Sequence, residues 1–145
     1  MNAAAADAWT FEPEPASSRE ARRRVSDALE AAALELAVST AALIVSELAT
    51  NAVLHARTPF EVRLRLRPEV IRIEVHDWDG RRPSPRHFSD SATSGRGLRM
   101  VEGLCEAWGV EPDADGRGKT VWAEVPITGD AGPFADLDVS SIEGL

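Results

Sequence analysis

The chain has 145 residues and a mass of 15.6 kDa, a length that suits one compact domain with a tail and argues against two. Hydrophobic residues make up 43% and charged residues 28%, enough apolar material for a real core, which excludes wholesale disorder. The balance of 24 acidic against 16 basic residues gives a formal net charge of −8, which argues against nucleic acid or an anionic membrane surface as the main partner, because binding to phosphates needs surplus cations.

A single cysteine, Cys105, can form neither an internal disulfide nor a multi-cysteine metal site, so a reducing, cytoplasmic setting is expected. No run of about 20 apolar residues and no basic-then-apolar leader stands out, so neither a membrane span nor an export signal is expected. Lys119 is the only lysine among the basic residues.

In chain order, residues 1–15 are small, acidic and proline-containing and are expected to form a flexible lead-in. Ser17 followed by Glu20 has the spacing of a capping box, and it opens a predicted helix through Val25, Ala28, Leu29, Ala32 and Leu36. Ser39 or Thr40 can cap a second helix through Leu43, Ile44, Leu48, Ala52 and His55, which Thr58-Pro59 should stop. The period then becomes two: Val62, Leu64 and Leu66, then Ile71, Ile73 and Val75, alternate with charged residues around Pro68-Glu69. That pattern predicts a hairpin with one face buried.

Residues 77–94 read as a long loop. A third helix after Gly97 should bury Leu98, Val101, Leu104, Cys105 and Trp108 and end at Gly109. Val110-Glu111 is a short predicted strand and Thr120 to Val125 another. The order predicts an α+β fold, a two-layer α/β sandwich with helices on one face of a mixed, largely antiparallel sheet. The domain spans residues 16–127, and residues 128–145 form an acidic, flexible tail.

Chemistry can sit at four places. Glu47, Asn51 and His55 recur every four residues, so on an α-helix they form one polar stripe, with a carboxylate and an amide of the kind that magnesium-phosphate chemistry uses. Taken alone, the same row also reads as a solvated helix face. Asp77 ends a strand and faces a loop, where it could accept a hydrogen bond from a ligand or simply begin an Asp/Gly turn. Gly95-Arg96-Gly97 precedes a helix whose free N–H groups favour an anion, or it is a hinge. Gly116-Arg117-Gly118-Lys119-Thr120 is not a P-loop, since Asp113 stands where the first glycine is needed and a strand, not a helix, follows. The arginines alternating along the first hairpin strand read as a solvated face or as a protein-binding surface.

Glu47 through Ala56, Val75-His76-Asp77 with Pro83, Gly95-Arg96-Gly97-Leu98, and Gly118-Lys119-Thr120-Val121-Trp122 together resemble the nucleotide-binding boxes of the histidine-kinase-like (GHKL) ATPases. Within them the chain resembles the small bacterial anti-sigma-factor serine/threonine kinases, over roughly residues 17–126. The resemblance implies ATP and Mg²⁺ as cofactors. It implies Asn51 as Mg²⁺ ligand, Glu47 as the general base, and Asp77 as acceptor of the adenine amine. Gly95, Arg96 and Gly97 would line the phosphates, and Thr120 would support the adenine end through water.

The partners implied are a sigma factor and its antagonist, with a homodimer as the assembly. One box departs from the pattern. Where the family commonly reads Asp-x-Gly-x-Gly, Asp79 and Arg81 fill both glycine positions after Asp77. The rival expectation is therefore a non-catalytic protein-binding module of the same fold with weak or no ATP binding. A sensor-kinase catalytic fragment is a third, weakened because no separate phospho-acceptor helix precedes the domain.

Overall fold

A computed structural model of the chain describes residues 5–80 and 103–129. Five strands form one sheet in the order β1-β2-β3-β5-β4, with every neighbouring pair antiparallel. They are β1 (Ala5–Phe11), β2 (Phe60–Leu66), β3 (Val70–Asp77), β4 (Ala107–Pro112) and β5 (Lys119–Pro126). Two helices, α1 (Pro15–Ala31) and α2 (Val38–Asn51), pack against each other, and α2 lies on β3 and β5. The expected α+β layering of helices on an antiparallel sheet is what the chain adopts.

The period-two residues set the layers. Val62 and Leu64 on β2, Ile71, Ile73 and Val75 on β3, and Val121, Ala123 and Val125 on β5 are buried in one cluster with Ile44, Val45 and Leu48 of α2 and Val25 and Leu29 of α1. Directly opposed residues of antiparallel strands share a face, and the register Ile73↔Ala123 and Val75↔Val121 keeps these side chains on the helix side. The alternate residues form the other face, where Arg63, Arg65 and Arg72 pair with Glu74, and Arg72 also with Glu124. Arg72 Cζ lies 4.2 Å from the centroid of the Trp122 ring.

Several local expectations are corrected. Part of the lead-in is strand: Ala5–Phe11 pairs residue for residue with β2, and Trp9 and Phe11 pack against the core. Helix α1 starts at Pro15, not at a Ser17 cap; Glu14 is the N-cap without a side-chain hydrogen bond. Proline at the first helical position has φ preset and lacks an N–H that would be unpaired there anyway, so no capping box is required. The helix ends at Ala31, and Ala33 turns left-handed with φ 61°. Leu36, expected on its apolar stripe, is therefore 76% exposed in the short 3₁₀ turn Glu35–Ala37.

Neither Ser39 nor Thr40 caps α2, whose N-cap is Ala37. The Thr40 hydroxyl instead donates to the Gly129 carbonyl at 3.3 Å. Trp108 and Gly109, read as the end of a helix, lie inside β4. A Cβ at Gly109 would come within 2.8 Å of the Trp122 indole, so this glycine admits a ring from the neighbouring strand and does not stop a helix. Against the expectation that no such stretch exists, Glu35–Ala56 is long and apolar enough to cross a membrane by length and composition. In the fold, its residues Ala41, Leu43, Ile44, Val45, Leu48 and Ala49 are buried against protein.

Candidate functional site

Helix α2 does not end in a simple cap. After Asn51 the winding widens into a π turn, Ala52–Ala56, closed by the Arg57 N–H donating to the Ala52 carbonyl at 3.0 Å. Arg57 takes the left-handed conformation with φ 59° and ends the helix just before Thr58-Pro59, as the proline predicts. Such π turns concentrate at functional sites. The three-residue connection Arg57 to Pro59 then enters β2 at Phe60, which opposes Asp77 in the sheet. The C-terminal end of α2 and the end of β3 therefore lie at the same end of the domain. The Trp78 N–H donating to the Thr58 hydroxyl at 3.1 Å ties the two connections together.

Glu47 and Asn51 keep their α-helical spacing, one turn apart on α2. Asn51 is buried, and its Oδ1 and the Oε1 of Glu47 are buried oxygens with no hydrogen-bond donor among the described residues. Burial pushes the Glu47 carboxyl above its ordinary range. An unsatisfied buried oxygen costs roughly 1–3 kcal/mol, so two of them a turn apart are what a site that receives its donors or cation from a ligand would show. His55 belongs to the π turn, so the change in winding takes it off the four-residue α spacing that the sequence implied.

Asp77 is only 3% exposed, on the helix side of the sheet, where the apolar row of β3 ends. Its Oδ1 accepts from the Lys119 ammonium at 2.9 Å and from the Asp79 backbone N–H at 2.9 Å. Lys119 also donates to the Asp79 carbonyl at 3.0 Å. The register Asp77↔Lys119 across β3 and β5 makes this pairing direct. Thr120, expected beside the adenine, is one residue further along β5 and opposes His76, so it lies on the other face of the sheet. The structure thus does not bring Thr120 to Asp77; Lys119 is there.

The signal for Lys119 was present in the alternation Lys119, Val121, Ala123, Val125, which puts a lysine on the apolar row. The glycine requirement after Asp77 is also displaced by one residue. A Cβ on Gly80 would collide with the Gly116 carbonyl in the β4–β5 turn, so close approach is needed at Gly80, while Asp79 contributes backbone hydrogen bonds. Gly95, Arg96, Gly97 and Arg81 lie outside the described residues.

Comparison with protein families gives a match to the histidine kinase-like ATPase domain over residues 11–125. The chain belongs to that family. The match spans every described element of this GHKL domain except most of β1, and it includes Glu47, Asn51, Asp77 and Lys119. No curated protein matches the chain. Family membership suggests that the GHKL domain binds ATP.

Proposed function

We propose that this domain is an ATP-dependent protein serine/threonine kinase of the anti-sigma-factor type, which binds a sigma factor and phosphorylates its antagonist. The observation that carries the reading is the pair of buried oxygens on Glu47 and Asn51, one turn apart on α2, that find no hydrogen-bond donor among the described residues. Glu47 takes the proton from the attacking serine or threonine hydroxyl, and its raised pKa makes the carboxylate a stronger base than an exposed glutamate. Asn51 fits as a metal ligand because its amide oxygen is hard, buried and without a donor among the described residues. Mg²⁺ bound there would supply positive charge to the ATP phosphates, the dominant need in phosphoryl transfer. The base end of the nucleotide lies towards Asp77.

A non-catalytic module of the same fold is the rival reading, favoured by one observation: Lys119 already engages Asp77. Calorimetry with ATP, with and without Mg²⁺, separates the two. Magnesium-dependent binding that Asn51→Ala abolishes is expected; a folded chain that binds no ATP under either condition is the module, not the kinase.

A further inference from the structure

Lys119 is the chain's sole lysine and one of few buried charges among the described residues, 8% exposed. Its ammonium is held on two sides, by Asp77 Oδ1 and by the Asp79 carbonyl, on the helix-facing side of the sheet. Arg23 and Arg24 form their ion pairs on helix α1, and Arg63, Arg65, Arg67, Arg72 and His76 form theirs on the outer face of the sheet or beside it. Lysine has a compact ammonium on a flexible stem, so it can fill a position that a small donor on a ligand would otherwise take.

We propose that Lys119 is an internal competitor for Asp77 and sets the affinity and base selectivity of the nucleotide site. This rests on the reading that the site takes ATP with its base towards Asp77. A purine 6-amino group offers Asp77 an N–H donor. Lys119 already offers a charged one, at 2.9 Å and largely out of water, where a charge-assisted hydrogen bond is about twice as strong as a neutral one. The amine must therefore displace the ammonium or bind a carboxylate whose charge is already neutralised. Either way its net gain is small. The site then binds nucleotide mainly through its phosphates and discriminates weakly among purines, until Lys119 is drawn away from Asp77.

Two measurements test this. In the parent protein, calorimetry should give Mg-ATP and the triphosphate of purine riboside, which lacks the 6-amino group, affinities within about threefold of each other; a tenfold gap would correspond to about 1.4 kcal/mol. In Lys119→Thr, Mg-ATP should bind at least about tenfold more tightly than in the parent and regain a preference over the purine analogue of similar size. A parent that already prefers ATP tenfold overturns the proposal, and so does a folded Lys119→Thr protein that binds ATP no better than the parent. The parent comparison decides the matter if the variant does not fold. Failure of both proteins to bind either nucleotide overturns the ATP reading itself, and the proposal with it.

Discussion

His76 Nε2 lies 2.8 Å from Asp113 Oδ2, joining the end of β3 to the turn that feeds β5, and Gly118 leaves no room for a side chain beside them. A Cβ at Gly118 would come within 2.5 Å of the Asp77 carbonyl oxygen and 2.7 Å of Asp113 Oδ2. The first of these is backbone and cannot yield. Gly118→Ala is therefore expected to cost about 1–3 kcal/mol, the usual penalty of overpacking, by forcing β5 from β3 next to the candidate site. Urea denaturation measures it; a loss below about 0.5 kcal/mol, the range of ordinary surface changes, would mean that the strands separate without cost there.

The Asp77 and Lys119 pair makes a second prediction, about stability. Removing one partner of a buried ion pair leaves an uncompensated charge and costs about 3–5 kcal/mol, whereas replacing both with apolar groups is often neutral. Asp77→Ala should destabilise the fold by that order, and Asp77→Ala combined with Lys119→Met should recover most of it. Equal stabilities for the single and double variants in chemical denaturation would show that Lys119 does not need Asp77.

Glu47→Gln should nearly abolish phosphoryl transfer while leaving Mg-ATP binding within about threefold, a difference of roughly 0.6 kcal/mol. Asn51→Ala should impair both. Transfer is read as phosphoserine and phosphothreonine formed on proteins that co-purify with the chain, and a Glu47→Gln protein that transfers at the parent rate removes Glu47 from the chemistry.

The same Glu47 substitution has a pH signature in the ligand-free protein. Burial raises the folded-state pKa of Glu47 above its unfolded value of 4.5. The favourable contribution of its neutral form is thus complete below the unfolded pKa and is lost as pH rises through the higher folded pKa. Glu47→Gln should therefore gain in Tm relative to the parent as pH rises above the unfolded value of 4.5, and the gain should level off once pH exceeds the raised folded-state pKa. A Tm difference that does not change with pH would show that the carboxylate is not desolvated.

Glu74 behaves in the opposite sense. Burial alone would raise its pKa, but the hydrogen bond from Arg72 and the charges of Arg65, Arg72 and Arg63 outweigh burial and hold the carboxyl below its ordinary range. Its contribution is present above the unfolded pKa and fades as pH falls through the lower folded one. Glu74→Gln should cost about 1–3 kcal/mol at neutral pH, the scale of a charged hydrogen bond, and less in acid. A loss independent of pH would point to packing and not to charge.

The parts of the fold that were legible in the sequence are those where one period dominates. Val62 and Leu64, then Ile71, Ile73 and Val75, alternate with charged residues on either side of Pro68-Glu69, and the hairpin they predict is the centre of the sheet. Glu47 and Asn51 were legible as one helical stripe for the same reason. Trp108 was misplaced because its spacing from Leu104 fits a helix, and Gly109 reads locally as a stop; only the Trp122 indole on the neighbouring strand explains that glycine. Trp9-Thr10-Phe11 carries a period-two signal too short to outweigh the small, acidic residues around it, and its pairing with β2 is a long-range event. The motif that points to Thr120 holds no information about sheet faces, whereas strand alternation and the register Asp77↔Lys119 place Lys119 on the face of Asp77.

Strand β1 has a practical consequence for handling the protein. The family match begins at residue 11, the last residue of β1. A shortened form trimmed to the matched region would strip the cover from β2 and leave the backbone of Glu61–Leu66 open. An apolar strand end of this kind recruits another chain by edge pairing. Residues 5–10, whose composition reads as a flexible lead-in, thus act as the domain's own guard against self-association, and solubility rather than activity is the property that their removal would forfeit first.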